Sequence, residues 1–195
     1  MDTVIDHINE FIKLIREGDE IKCIEYIDKH NDFYNTIMGI WSPLTYACNY
    51  EKYKVVYKLL DVGADINLSV AGWSPLMYAS YLGNINLGTE LLKRGANINY
   101  KNSRGSSALS VACVYGRLKF AAMLITAGAD FIDLNFYNMY DLCHKNGPIM
   151  QSIRDVYRKR ILAVIDDDTC NNAMAASFRT TYAIELVDMI SEFII

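Results

Sequence analysis

Two short runs recur along this chain of 195 residues at a nearly fixed distance. Trp-Ser-Pro-Leu stands at Trp41–Leu44 and again at Trp73–Leu76. Leu-Leu-Asp-Val-Gly-Ala-Asp-Ile-Asn stands at Leu59–Asn67, with a close copy at Leu91–Asn99. The pairs Leu59-Leu60, Leu91-Leu92 and Leu124-Ile125 are 32 and then 33 residues apart. Gly63, Gly95 and Gly128 keep the same steps, as do Ala47, Ala79 and Ala112, and Leu44, Leu76 and Leu109. Self-similarity at such a period constrains the chain to a stacked array, because one unit cannot bury its own apolar side alone.

Each recurring type has a physical role. Ser42 and Ser74 are placed to cap a first helix, and Pro43 and Pro75 follow where a missing N–H costs nothing. The alanines let the neighbouring unit's helix approach. Gly83 and Gly116 permit a tight turn between two helices. Gly63, Gly95 and Gly128 end the second helix in the left-handed conformation, and the Asp or Asn two residues on favours the turn after it.

These residues resemble the ankyrin-repeat family, most fully over Gly72–Arg104. The resemblance implies an all-α solenoid of four to five helix-turn-helix units, with short hairpin loops and helical caps at both ends. Three repeats are expected at 40–71, 72–104 and 105–137. Residues 1–39 read as a degenerate first repeat, with Glu10, Lys13, Arg16 and Glu17 on its polar outer side. Residues 139–195 read as a degenerate repeat and C-terminal cap, with helices expected over 149–165 and from about 181 onward. The chain also departs from the family. Glu51 replaces the inter-helix glycine of the first clear repeat. Ser106-Ser107-Ala108 replaces the usual threonine-proline opening, which predicts a weaker cap. Thr45, Met77 and Ser110 stand where the family carries the histidine that ties its hairpins, which predicts looser hairpins.

Composition removes several function classes. A net charge of −4 argues against a general nucleic-acid binder, and Arg158-Lys159-Arg160 is too short to change that. No run of about 18 apolar residues exists, so no membrane span is expected. Met1-Asp2-Thr3 does not open a signal peptide. Five scattered cysteines without a Cys-x-x-Cys pair suit thiols in a reducing compartment, and the cytoplasm is the expected location.

Chemistry has little foothold. His7, His30 and His144 lie in no recognisable catalytic motif. His30 takes a helix-end position, where it reads as a cap. Cys143-His144 and Asp166–Asp168 lack the further ligands that a metal site needs. No enzyme activity, cofactor or metal is expected.

The resemblance instead picks out a surface for a partner protein, the concave face. Carried onto this chain, that face holds Trp41, Trp73, Ser106 and Met139 after the hairpin glycine. Asn49-Tyr50, Tyr81-Leu82 and Val114-Tyr115 lie before the inter-helix turn, and Arg104 and Tyr137 lie before the hairpin glycine. Tyr50, Tyr81 and Tyr115 are the expected contact residues, because Tyr, Trp and Arg dominate binding hot spots. The tryptophans have a second reading, as packing against the next hairpin. Asn67, in Leu59–Asn67, is similar to asparagines hydroxylated in many ankyrin repeats, which would make it a substrate position.

The last residues carry a further resemblance. Glu185, Leu186, Ile190, Phe193 and Ile194 fall as in the first helix of an F-box, while Tyr182-Ala183 departs from leucine-proline. Arrays ending so are similar to adaptors of large DNA viruses that recruit a ubiquitin ligase, which would place the protein in a host cell. A helix that merely caps the array shows similar apolar spacing, and attachment to a larger assembly is a third alternative.

Overall fold

The computed structural model describes residues 3–130 together with Gln151, Ser152, Asp155, Val156 and Lys159. The chain divides into two compact units, Met1–Phe120 and Ala121–Ile195. Eight helices run through the described part. They are α1 Val4–Glu17, α2 Glu20–Lys29, α3 Pro43–Asn49, α4 Tyr53–Asp61, α5 Pro75–Leu82, α6 Ile85–Lys93, α7 Ala108–Val114 and α8 Leu118–Thr126.

Local sequence starts and stops each helix. Thr3 caps α1 and Asp6 returns a bond to the Thr3 backbone, while Gly18 ends the helix at φ 86°. Asp19 then caps α2 through Lys22 N. Ser42 and Ser74 accept from Thr45 N and Met77 N at the starts of α3 and α5, with proline in the first turn of each. The weaker cap expected at Ser106–Ala108 is not found. Ser107 accepts from Ser110 N, and the Ser110 hydroxyl sits 2.8 Å from Ser107 N. Both bonds of a capping box are therefore made without proline.

Within the first unit the helices form two layers. The first helices α1, α3, α5 and α7 pack in sequence order, and α2 packs on α4 behind them. The small Ala47, Ala79 and Ala112 are fully buried where the first helices meet. Leu44, Leu76 and Leu109, with Val55, Val56, Leu59, Leu87 and Leu91, fill the space between the layers. This burial of apolar side chains between successive helix pairs holds the stack together. Phe11, Ile15, Ile27 and Phe33 close its N-terminal end, with Phe11 and Phe33 rings 5.1 Å apart.

Beta-turns join the pairs. Met38 and Trp41 exchange backbone bonds across Gly39-Ile40, and Val70 and Trp73 do so across Ala71-Gly72. The third hairpin holds the extra residue that lengthens the step from 32 to 33. Asn102 N donates to Ser106 O around Ser103, Arg104 and Gly105, and Gly105 takes φ 75°. The Asn102 side chain accepts from both Arg104 N and Ser106 N, which fixes the longer turn.

Nor are the hairpins untied. Asn35 Oδ1 accepts from Asp65 N at 2.7 Å, and Asn67 Oδ1 accepts from Asn97 N at 2.7 Å. Their amides donate to Gly63 O and Gly95 O. A ladder of asparagines thus links each hairpin to the next, in place of the missing histidines. Thr45 and Ser110 are spent on helix caps instead.

In the second unit, Ala121, Leu124, Ile125 and Ala129 are buried, and Gly128 ends the helix at φ 97°. The described residues of 151–159 are helical. No helix among the described residues is long and apolar enough to cross a membrane.

Candidate protein-binding surface

The hairpins and first helices of the first unit carry a continuous run of aromatic rings. Tyr50 packs on Tyr46 at 4.6 Å, and Tyr46 meets the edge of Trp41 at 5.3 Å. Trp41 reaches Tyr78 of the next repeat at 5.5 Å, and Tyr78 lies 5.2 Å from Trp73. Trp73 meets Tyr81 at 6.1 Å, and Tyr81 meets Tyr115 of the third repeat at 4.7 Å, edge to face. Such centroid distances are those of favourable aromatic pairs.

The run has a buried spine and an exposed edge. Tyr46 is 2% exposed and Tyr78 is 8% exposed. Tyr50, Tyr81 and Tyr115 are 41%, 37% and 48% exposed. Trp41 and Trp73 are half-buried between them. Both readings of the tryptophans therefore meet in one geometry, since each packs on a neighbouring tyrosine and keeps part of its ring in solvent. Leu82, Asn49 and Ser106 are half-buried, whereas Val114 and Arg104 are exposed. Tyr137, Met139, Cys143-His144, Asp166–Asp168 and the F-box-like residues lie outside the described residues.

Four further residues belong to this face: Tyr46, Tyr78, Arg16 and Arg117. Tyr46 and Tyr78 precede the repeat alanines 47 and 79, so their 32-residue spacing was available as a signal. Arg16 does not stay on the outer side of the first unit. Its Nε donates to Tyr46 Oη at 2.7 Å, and its guanidinium lies 6.0 Å from the centre of that ring. Arg117 donates from Nε to Tyr81 O at 2.9 Å. Its stem lies across Gly83, where an added Cβ would stand 2.8 Å from Arg117 Cδ. Gly83, at φ 74°, is thus required both for the turn and for the arginine's approach.

Just after α3, polar groups tie its repeat to the next. Glu51 adopts φ 56°, a left-handed conformation that disfavours side chains. The Tyr53 hydroxyl donates to Glu51 Oε2 at 2.5 Å and accepts from Asn84 Nδ2. Asn84 in turn caps α6 through Leu87 N. Burial and the adjoining Glu51 carboxylate push the Tyr53 hydroxyl up to about 12.

The remaining candidates among the described residues make structural contacts. His7 Nδ1 lies 2.9 Å from Asp32 Oδ1, and its ring is 4.2 Å from that of His30. His30 does end α2, donating its N–H to Tyr26 O. Among the described residues no group of His, Cys, Asp and Glu is placed to hold a metal ion. Cys23 and Cys48 are free, buried thiols, and burial pushes Cys48 up to about 12, away from a nucleophilic thiolate. Asn67 is exposed, but both ends of its amide are engaged in the hairpin ladder.

No match was found among curated proteins. The family model of ankyrin repeats in three copies matches residues 10–102 and again 44–135. Together the two matches span most of the chain and all three aromatic repeats, and the protein belongs to the ankyrin-repeat family.

Proposed function

We propose that the protein is a non-enzymatic binding module that seats a partner protein on the aromatic first-helix face. Ankyrin repeats generally serve as protein–protein interaction modules. On this reading Tyr50, Tyr81 and Tyr115 make the main contacts, followed by Trp73, with Trp41, Leu82 and Arg104 around them. The single observation that carries it is the exposed edge of three tyrosines backed by buried Tyr46 and Tyr78. Rings held this way lose little freedom on binding and offer large apolar area with a polar tip. Affinity capture from the native cell with mass spectrometry tests it, with wild type and the folded Tyr81→Ala/Tyr115→Ala variant compared. Proteins enriched by wild type and depleted by the variant support the reading. Identical captures by both would move the interface elsewhere.

A more specific version makes the protein a ubiquitin-ligase adaptor in a host-cell cytoplasm. It rests on the sequence of Glu185, Leu186, Ile190, Phe193 and Ile194. Deleting residues 181–195 tests it. Loss of a ligase component from the capture, with the fold retained, supports the adaptor; unfolding of the truncated chain removes it in favour of a structural cap. Asn67 keeps its separate proposal as a hydroxylation substrate, with the hairpin ladder opened for access. Intact-mass and peptide analysis of the native protein reads that directly: a 16 Da increment on Asn67 supports it, and an unmodified Asn67 removes it.

A further inference from the structure

The two layers of the first unit treat their cations differently. On the second-helix layer, Lys58 and Arg94 each pair with a carboxylate of the preceding repeat, and Arg94 also with Glu90 of its own helix. Lys58 Nζ lies 2.5 Å from Asp28 Oδ1, and Arg94 lies 2.5 Å from Asp61 Oδ1 and 2.6 Å from Glu90 Oε1. On the aromatic face the arginines have other partners. Arg16 is held by Tyr46, and Arg117 donates from Nε to the Tyr81 carbonyl. Arg104 stands exposed at the tip of the lengthened hairpin. None of the three makes an ion pair with a carboxylate among the described residues.

The sequence deepens this asymmetry. From Leu91 to Ala129 the chain contains no Asp or Glu, yet it contains Lys93, Arg94, Lys101, Arg104, Arg117 and Lys119. Among the described residues of this chain of net charge −4, the arginines without a carboxylate partner thus lie around one aromatic strip. Arg104 and Arg117 bracket α7 from its two ends. The seven residues of that helix rise about 10 Å. Arg16 marks the other end of the strip beside Tyr46. Glu51, near the strip, is already engaged by Tyr53.

We propose that the occupant of the aromatic face is an acidic segment of a partner protein, whose carboxylates pair with Arg16, Arg104 and Arg117 while an apolar or aromatic side chain packs between Tyr81 and Tyr115. This rests on the aromatic face being the docking surface. Arginine presents a planar fork that suits carboxylates, and its partial use by Tyr81 O orients that fork without neutralising it. A carboxylate arriving here gains a charge-assisted bond and displaces no ion pair among the described residues. A basic segment would meet like charge, which costs affinity and slows encounter.

The full chain can be titrated with a labelled random copolymer of glutamate and tyrosine, and separately with one of lysine and tyrosine, by fluorescence anisotropy. The glutamate copolymer is expected to bind at least tenfold tighter. Arg104→Gln/Arg117→Gln should weaken it at least tenfold and flatten its salt dependence. Lys58→Gln/Arg94→Gln, on the other layer, should leave it unchanged. Circular dichroism of each variant keeps loss of fold separate from loss of binding. Comparable binding of the lysine copolymer overturns the proposal, as does glutamate-copolymer binding indifferent to the arginine variants. If lysine-copolymer binding is abolished by Tyr81→Ala/Tyr115→Ala, the aromatic face survives as a docking surface and only its acidic occupant is overturned. Tighter binding of an oligothymidylate, or self-association of the chain in sedimentation at the same concentration, also overturns it.

Discussion

Arg117 lies over Gly83 so closely that a single added methyl would touch it, at 2.8 Å from Cδ. The glycine of one repeat thereby admits the arginine of the next, whose Nε then reaches the Tyr81 carbonyl. Gly83→Ala should cost about 1–2 kcal/mol, because alanine is strained at φ 74°. The urea midpoint measures that cost. The same variant should displace Arg117 and weaken partner binding; a Gly95→Ala variant, with open space at its Cβ, should lose stability without that second effect.

Helix capping predicts a second result. Ser107→Ala and Ser42→Ala should each destabilise by about 1 kcal/mol, because both serines stand in complete capping boxes. Thermal or urea denaturation of the two variants compares them. A negligible effect at Ser107 would mean that the cap of α7 is weak after all.

The asparagine ladder gives a third. Asn67→Ala removes the acceptor of Asn97 N and the donor to Gly95 O. About 1 kcal/mol should be lost, the modest net worth of exposed hydrogen bonds. Hydrogen exchange should locate the loss, with faster exchange at Asn97 N and little change in α1.

These three positions also mark how far the sequence could be read. Spacing alone located the helix pairs, their serine caps and the glycine turns, because those depend on residues close in sequence. The missing hairpin histidines were legible too, but their replacement was not. Asn35 and Asn67 act on groups 30 residues away. Likewise Tyr50, Tyr81 and Tyr115 are placed by register, and the 32-residue spacing of Tyr46 and Tyr78 is as visible, but their part as the spine between the rings is a contact between repeats. Arg16 was assigned to the outer side because its helical spacing is polar. Its reach to Tyr46 is a tertiary contact that no local pattern encodes.

Alkaline pH should selectively unfold the protein. Burial pushes Tyr78 up to about 12 and Cys48 up to about 12. In the unfolded chain these groups release their protons near 10 and 8.5. Between those values and 12 the unfolded state binds fewer protons, so stability falls as pH rises, by about 1.4 kcal/mol per pH unit for each such group. The urea midpoint should therefore decline between pH 9 and 12, and Tyr78→Phe should make that decline shallower. A midpoint constant across this window would contradict the burial of both groups.

The central claim is that exposed tyrosines on a rigid aromatic run hold the partner. It is tested most directly by the dissociation constant of the captured partner for wild type and for Tyr81→Ala/Tyr115→Ala, measured by calorimetry on folded proteins. A loss of about 2 kcal/mol or more, roughly thirtyfold in affinity, is expected, with Lys58→Ala/Arg94→Ala on the opposite layer nearly silent. Equal affinity of wild type and the tyrosine variant, or a larger loss from the opposite layer, would contradict it.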